Sequence, residues 1–392
     1  MSAQAGSRPP RRRSAAVIGI GHSDWRGDWQ RVRAGESTTD SYGYAAIALR
    51  AALADAGIER GVLDGLISGH TTAYERLGEV LGLDVRWGGQ ADAVNALLQA
   101  VLAIEAGLAE VIALVYGNAQ RSNRIQYGGS NAMGGDAHLS YVYHAPWGLT
   151  SQGALYALTQ RRFMSARGYD ERALGAVAVA ERAWAALNPA AIMQKPITIE
   201  DYLASPYICE PLHLFDYCLI NDGGVALIVA SAERARALSP HPVYFEGIGR
   251  HDLNRGATSL APRLETFYAD AQTAAAQRAF DEAACGPGEI DLVQIYDSFS
   301  THVPLALEGY GYCRPGEFDK LVRETGIGPG GGLPVNTSGG HLSETYMQGW
   351  NHQVEIVRQL RGVCGERQVR DCRRAHYASD IAGKAISIIY GR

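Results

Sequence analysis

Residues 335–350, "VNTSGGHLSETYMQGW", set glycines, a histidine and a tyrosine where a backbone could come close to a ligand. Gly339 and Gly340 free the chain to adopt positive φ and to approach a bound group. A helix expected to begin near Ser343 or Glu344 would aim its unpaired first amides at the same spot, a place suited to a negatively charged oxygen. Tyr346 falls in the first turn of that helix, and Ser343, three positions earlier, shares its face. His341 reads equally as a site residue or as a satisfied hydrogen-bonding residue. In "IYDSFST", residues 295–301, Tyr296 and Asp297 follow an apolar run at a strand's carboxyl end, where open α/β sheets bind ligands. Tyr296 is alternatively a core tyrosine with a bonded hydroxyl, and Asp297 reads as the cap of a helix starting at Ser298. "EGYGYCRPGEF" (308–318) and "AHYASD" (375–380) complete the polar, ring-bearing stretches.

Positioning such residues takes a scaffold, and the chain supplies one twice. "AAVIGIGHSDW" predicts a buried strand. "DSYGYAAIALRAALADAGI" predicts a helix with Asp40 or Ser41 as its cap and Gly57 as its stop. "VLDGLISGHTT", "DAVNALLQAVLAIEAGLA" and "EVIALVYGNA" continue as strand, helix and strand. This beat implies a parallel or mixed sheet covered by helices. It stops between residues 118 and 217, an insertion rich in glycine, tyrosine and histidine and then helical, expected to act as a lid or to face a dimer partner. "INDGGVALIVASAERARAL" closes the first half. "VYFEGIGRHD", "YADAQTAAAQRAFDEAAC" and "IDLVQIYDSFS" then repeat the order and the glycine placement of the beginning. The expected division is a disordered tail over 1–14, an N-terminal half over 15–240 containing the insertion at 118–217, and a C-terminal half over 241–392.

A chain of 392 residues with 46% hydrophobic content can bury a large core. The net charge of -5 gives no field to attract nucleic acid, the patch Arg11, Arg12 and Arg13 being part of the expected tail. No segment has the apolar length to span a membrane, so a cytoplasmic protein is expected. The six cysteines, Cys209 the first, lack C-x-x-C spacing, which argues against a zinc ribbon or disulfide framework in this chain and predicts no bound metal.

"YDSFSTHVPLALEGYGYCRPGEF" together with "GGLPVNTSGGHLSETYMQGWNHQVEIVRQLRG" resembles the thiolase superfamily, in its sterol-carrier-protein thiolase-like branch, and within it the lipid-transfer-protein-like aldolases of steroid side-chain breakdown. "LLQAVLAIEAGLAEVIALVYGNA" is similar to the helix and strand after the thiolase nucleophile, and "YICEPLHLFDYCLINDGGVALIVAS" to the family's lead into the last strand of the first half. The resemblance covers almost the whole chain. It implies two duplicated halves in a five-layered αβαβα thiolase fold, interrupted by the helical and loop insertion, and usually a dimer. Aligned on these motifs, the nucleophilic cysteine's place falls near Gln90, the loop histidine becomes Tyr346, and the histidine of an "HDCFS" element becomes Tyr296. The C-terminal stretch offers His376, Tyr377 and Ser379 but no cysteine.

Thiolase cleavage passes through an acyl-cysteine, so the resemblance without the thiol implies other chemistry. Retro-aldol cleavage of a β-hydroxyacyl-CoA to a ketone and a short acyl-CoA, such as propionyl-CoA from a steroid side chain, needs only an enolate stabiliser and proton transfer. Tyr346 is then expected nearest the substrate hydroxyl and Tyr296 as its partner in delivering a proton to the enolate, with the two roles open to exchange. A phenol's ordinary pKa near 10 requires the site to lower it or to tighten the bond as substrate binds. Asn336, Ser343, Gly339 and Gly340 are expected to orient the thioester, with His341 supporting them. No cofactor is expected beyond the coenzyme A of the substrate. The resemblance also implies a small partner with a zinc ribbon and an oligonucleotide/oligosaccharide-binding-type barrel, which would hold any zinc and give a heterotetramer. The alternatives are a thiolase-like acyltransferase using a cysteine such as Cys313, and a non-catalytic acyl-CoA-binding subunit.

Overall fold

The computed structural model describes residues 13–36, 38–125, 144–256, 260–380 and 383–392. The expected tail before residue 13, with Arg11 and Arg12, and the 126–143 part of the insertion lie outside the described residues.

In chain order the first half contains β1 (Ala15–His22), α1 (Trp25–Arg33), α2 (Ser41–Ala56), β2 (Gly65–Ser68), α3 (Tyr74–Leu81), β3 (Trp87–Gln90), α4 (Ala93–Glu105) and β4 (Val111–Ala119). The insertion follows as α5 (Gln152–Arg167), α6 (Glu171–Ala186), α7 (Ile199–Ala204) and the hairpin β5 (Tyr207–Cys209) and β6 (Leu212–His213). β7 (Asp222–Ser231) and α8 (Ala232–Leu238) return to the half-sheet. The second half comprises β8 (Val243–Asp252), α9 (Ala269–Ala283), β9 (Leu292–Ile295), α10 (His302–Gly309), α11 (Phe318–Glu324), α12 (Trp350–Arg361), β10 (Arg374–Ser379) and β11 (Lys384–Gly391).

Nine strands form one mixed sheet in the order β3-β2-β4-β7-β1-β8-β11-β10-β9. β2 is parallel to β3 and β4, and β9 is parallel to β10; the other pairings are antiparallel. Only Ala16 and Val17 of β1 pair with β8, so the sheet is two half-sheets joined at a narrow seam. α4 and α12 share one buried cluster with strands from both halves, including Leu227, Val229, Ile386 and Ile388. Outside them, α2 packs on the first half-sheet and α9 on the second. The layers therefore run α2, sheet, α4 with α12, sheet, α9, the five-layered arrangement expected from the resemblance.

The repeated "GIG" has a physical cause. A Cβ on Gly19 or Gly21 would overlap backbone of α2 at Ala52 and Ala48, and one on Gly247 or Gly249 would overlap α9 at Ala279 and Ala275. Alanine-faced helices and glycine-bearing strands let the outer layers approach the sheet closely in both halves. α2 begins as expected: the Asp40 side chain accepts from Gly43 N at 2.8 Å, and Gly57 ends it at φ 65°. α1, α3 and β3 were not expected, being too short for periodicity to reveal.

The insertion supports the site instead of only covering it. Ile192 N and Met193 N donate to Glu344 O and Ser343 O, each at 3.0 Å, and Asn188 Nδ2, just beyond α6, donates to Ser338 O at 2.9 Å. These bonds tie the insertion directly to the 335–350 segment.

Candidate active site

Tyr296 leaves the end of β9 with its amide donating to Ala378 O at 2.9 Å, which fixes it beside β10. Tyr346 is held differently: its amide donates to Asn221 Oδ1 at 2.8 Å, and Asn221 Nδ2 donates to Thr345 Oγ1 at 2.8 Å. The two phenol oxygens meet at 3.1 Å. Tyr296 is buried and Tyr346 half-buried, so Tyr346 is the member of the pair nearer to solvent. The His341 ring lies between them, with centroids 4.8 Å from Tyr296 and 4.9 Å from Tyr346. Burial, and then the neighbouring Tyr346, push the Tyr296 phenol well above its ordinary value. Of the two expected routes, a lowered phenol or a tightened bond, burial of Tyr296 opposes the first.

Asp297 is not a helix cap, since the next α-helix starts at His302. Its carboxylate instead accepts from His341 N at 2.8 Å, Leu342 N at 3.2 Å and His352 Nε2 at 2.8 Å, and lies 3.2 Å from His341 Nδ1. Glu181 of α6 shares a hydrogen bond with it. Burial, and then the Asp297 charge, raise the Glu181 carboxyl well above its ordinary value, so Glu181 supplies the shared proton. Burial pulls His341 down to about 3 and keeps its ring neutral.

The sequence expected a helix from Ser343, but the chain forms a single π-helical turn over Gly340–Glu344, and α12 begins only at Trp350. Tyr346 therefore lies beyond the turn, and of the amides expected to face an oxyanion, those of Ser343 and Glu344 donate to Gly339 O and that of Gly339 to Asn336 O. The other expected thioester contacts are engaged as well. Asn336, at φ 47°, donates to Glu181 Oε1 at 2.7 Å and Ile295 O at 3.1 Å and accepts from Ile295 N at 2.7 Å. Ser343 Oγ accepts from Arg182 Nε at 2.9 Å. Gly339 and Gly340 do take positive φ, 101° and 58°, but what approaches them is the protein itself. A Cβ on Gly339 would stand 2.6 Å from that of Ala185, and one on Gly340 would overlap the Asp297 carboxylate. Asn336, Gly339, Gly340, His341 and Ser343 are buried and together build a frame beside the tyrosines.

Asp297, His341 and His352 bring ligand atoms within 4.8 Å of one another, the one such trio among the described residues. Each side chain already faces protein partners: His341 Nε2 accepts from Gly349 N at 2.9 Å, and His352 Nδ1 meets Gln294 Oε1 at 2.9 Å. The trio is a hydrogen-bonded frame.

Gln90, at the expected nucleophile position, ends β3 and donates to Thr72 O at 2.5 Å. Cys218 lies near Tyr296 and Asp297, and burial pushes its thiol far up; burial likewise pushes Cys313 to about 12. Both stay protonated thiols, poor nucleophiles. His376 is fully buried between Tyr312 OH and Ser387 Oγ, each at 2.8 Å, and Tyr377 and Ser379 are buried on the same strand.

Sequence reasoning missed Glu181, Asn221 and a buried group formed by Ser298, His302 and Asp380. Ser298 and His302 stand four apart, a spacing that hints at contact, but nothing local joins them to Asp380 or brings α6 beneath residue 340.

Residues 257–392 match the family model described as thiolase C-terminal domain-like. A steroid side-chain-cleaving aldolase of Thermomonospora curvata is 33% identical over 89% of this chain and 90% of its own. A 17-hydroxy-3-oxo-4-pregnene-20-carboxyl-CoA lyase of Mycobacterium tuberculosis is 33% identical over 89% of this chain and 92% of its own. Among solved structures, the Ltp2-ChsH2(DUF35) aldolase superposes with a TM-score of 0.84 at 29% identity, covering 96% of this chain and 97% of that one. With that likeness along nearly its full length, the chain belongs to the thiolase superfamily, in the thiolase-like branch that contains these aldolases and lyases.

Proposed function

We propose that this protein is a lyase that cleaves a β-hydroxyacyl-CoA by retro-aldol chemistry, giving a ketone and a short acyl-CoA. The observation that carries this reading is the Tyr296–Tyr346 contact of 3.1 Å beside the Cys218 thiol, which burial keeps protonated. The names of the two relatives, an aldolase and a CoA lyase acting on steroid side chains, support a steroid side-chain thioester as substrate and propionyl-CoA as the short product.

Neither phenol has to ionise if the proton moves as a relay. The substrate hydroxyl gives its proton to Tyr346, Tyr346 passes its own to Tyr296, and Tyr296 gives one to Cα as the Cα–Cβ bond breaks. One proton enters the pair and one leaves it, so neither phenol ionises. The raised Tyr296 value then fits a phenol that stays neutral through the relay.

The two names joined in the solved Ltp2-ChsH2(DUF35) aldolase support a partner protein for this chain too, which the family resemblance makes small and acyl-CoA-binding. That partner would carry the zinc ribbon and barrel, pairing with a homodimer of this chain in a heterotetramer in the cytoplasm. Among the described residues no helix is long and apolar enough to cross a membrane.

The test is incubation of the purified protein, alone and with such a partner, with a steroid-type and a simple branched β-hydroxyacyl-CoA. Ketone and short acyl-CoA detected by mass support the reading. Tight binding of both thioesters without turnover, partner present, sinks it.

A further inference from the structure

An enolate on a thioester needs a hydrogen-bond donor at its oxygen, and of the donors expected from the sequence the Asn336 amide group serves Glu181 and Ile295, Gly339 N serves Asn336 O, and Ser343 Oγ accepts from Arg182. Two residues after Tyr296, a different device stands on the same segment. Ser298 Oγ lies 3.0 Å from His302 Nε2, and His302 Nδ1 lies 2.7 Å from Asp380 Oδ1. Gln272 Nε2 donates to the other Asp380 oxygen at 2.9 Å, which fixes the carboxylate.

The three residues come from the loop after β9, from the first turn of α10 and from the position just past β10, so only the folded sheet assembles them. They are 7%, 1% and 3% exposed, in surroundings where a hydrogen bond is worth more than in water. His302 stands edge-on to the Tyr296 ring at 5.6 Å between centroids and packs on Tyr156 at 4.6 Å. The serine is thus held on the wall that carries the phenol pair.

We infer that Ser298 is the donor to the thioester oxygen of the substrate, with His302 and Asp380 as the positioning residues that orient its hydroxyl. This rests on the retro-aldol reading and adds to it the group that stabilises the enolate. His302 bonds Asp380 through Nδ1 and meets Ser298 Oγ through Nε2, which holds the serine oxygen in place while its hydrogen turns to the substrate oxygen. Nothing is transferred to or from the serine carbon: the hydroxyl strengthens its bond as negative charge collects on that oxygen.

The experiment uses the full-length protein and propionyl-CoA labelled with ¹³C at the carbonyl, read by isotope-edited infrared spectroscopy. On the wild-type protein the bound carbonyl stretch is expected below that of the free thioester. Ser298→Ala should return it toward the free value and lower kcat by on the order of 10²-fold, with KM little changed. Ser298→Gly replaces it if the alanine variant fails to fold. Tyr346→Phe should keep the lowered stretch, and imidazole should restore part of the shift lost in His302→Ala. A wild-type carbonyl at the free frequency, an unchanged stretch in both serine variants, or an acyl group found covalently on Ser298 would each overturn the assignment. The infrared reading needs no turnover. A shift that depends on Ser298 in a protein that cleaves no hydroxyacyl-CoA would therefore sink the retro-aldol reading and leave the serine's role standing.

Discussion

Tyr296 and Tyr346, 50 residues apart in the chain, present their hydroxyl oxygens to each other at 3.1 Å with the His341 ring packed against both. Tyr296 is fixed by backbone pairing at a strand end and Tyr346 by the Asn221 side chain, so the Asn221 bond ties this pair of the second half to the first half. A proton relay through this contact requires both hydroxyls and tolerates the loss of neither. Tyr346→Phe and Tyr296→Phe should each lower kcat by at least ~10²-fold while the unfolding temperature stays near that of the wild type. Stopped assays of ketone release with thermal melts check this; a Tyr346→Phe enzyme at wild-type rate would remove the relay.

Because burial holds Cys218 and Cys313 as thiols, alkylating reagents should leave cleavage intact at exposures that inactivate a thiolate enzyme. Cys218→Ser, next to the tyrosine pair, should retain activity within about an order of magnitude. Rapid inactivation by iodoacetamide, with protection by acyl-CoA, would favour acyl transfer through sulfur.

The Asp297 carboxylate holds the 340–344 turn through two amides and His352 through its ring. Asp297→Asn places an amide group against donors and should cost about 3 kcal/mol or more in unfolding free energy. Gly340→Ala, at φ 58° and against the same carboxylate, should cost about 1–3 kcal/mol. Urea denaturation measures both, and a Gly340→Ala protein as stable as the wild type would show that the turn is not so constrained.

Burial lowers His341 and His376 from 6.5 to about 3, and His22 from 6.5 to about 4. The unfolded chain therefore binds these protons first, and their contribution to stability is lost as pH falls from about 6.5 toward about 3. His376→Gln should flatten the acid limb of a stability profile. An unchanged slope would mean that carboxylates alone govern acid unfolding.

Glu181 carries the opposite sign. Its folded value is raised, by burial first and then by Asp297, so its contribution is fully present below the ordinary 4.5 and fades as pH climbs through the raised value. Glu181→Gln keeps a donor toward Asp297 without a titrating proton, and its stability relative to the wild type should improve as pH rises from about 5 to 9. A difference that stays constant with pH would place the proton elsewhere.

The layered core was legible because it is written in local patterns. Alternating strands and alanine-rich helices name the elements, and the twice-used "GIG" marks where each outer helix presses on its half-sheet. Tyr296 and Tyr346 were legible as a pair only through the family motifs around them, since nothing in their spacing says that two rings 50 residues apart will touch.

Sequence by itself determined the main alternation of strands and helices, the duplicated halves, the loss of the cysteine at the nucleophile position and the tyrosines at the two histidine positions. Tertiary structure decided which polar groups remain available. Asn336, Gly339, Gly340, His341 and Ser343 all sit in the expected segment, yet the fold turns each of them toward protein, while it gathers Ser298, His302 and Asp380 from three separate elements. The reason is that buried polar groups must find partners, and which partners they find depends on the packing of distant segments. Residue type and spacing set only what each group is able to donate or accept.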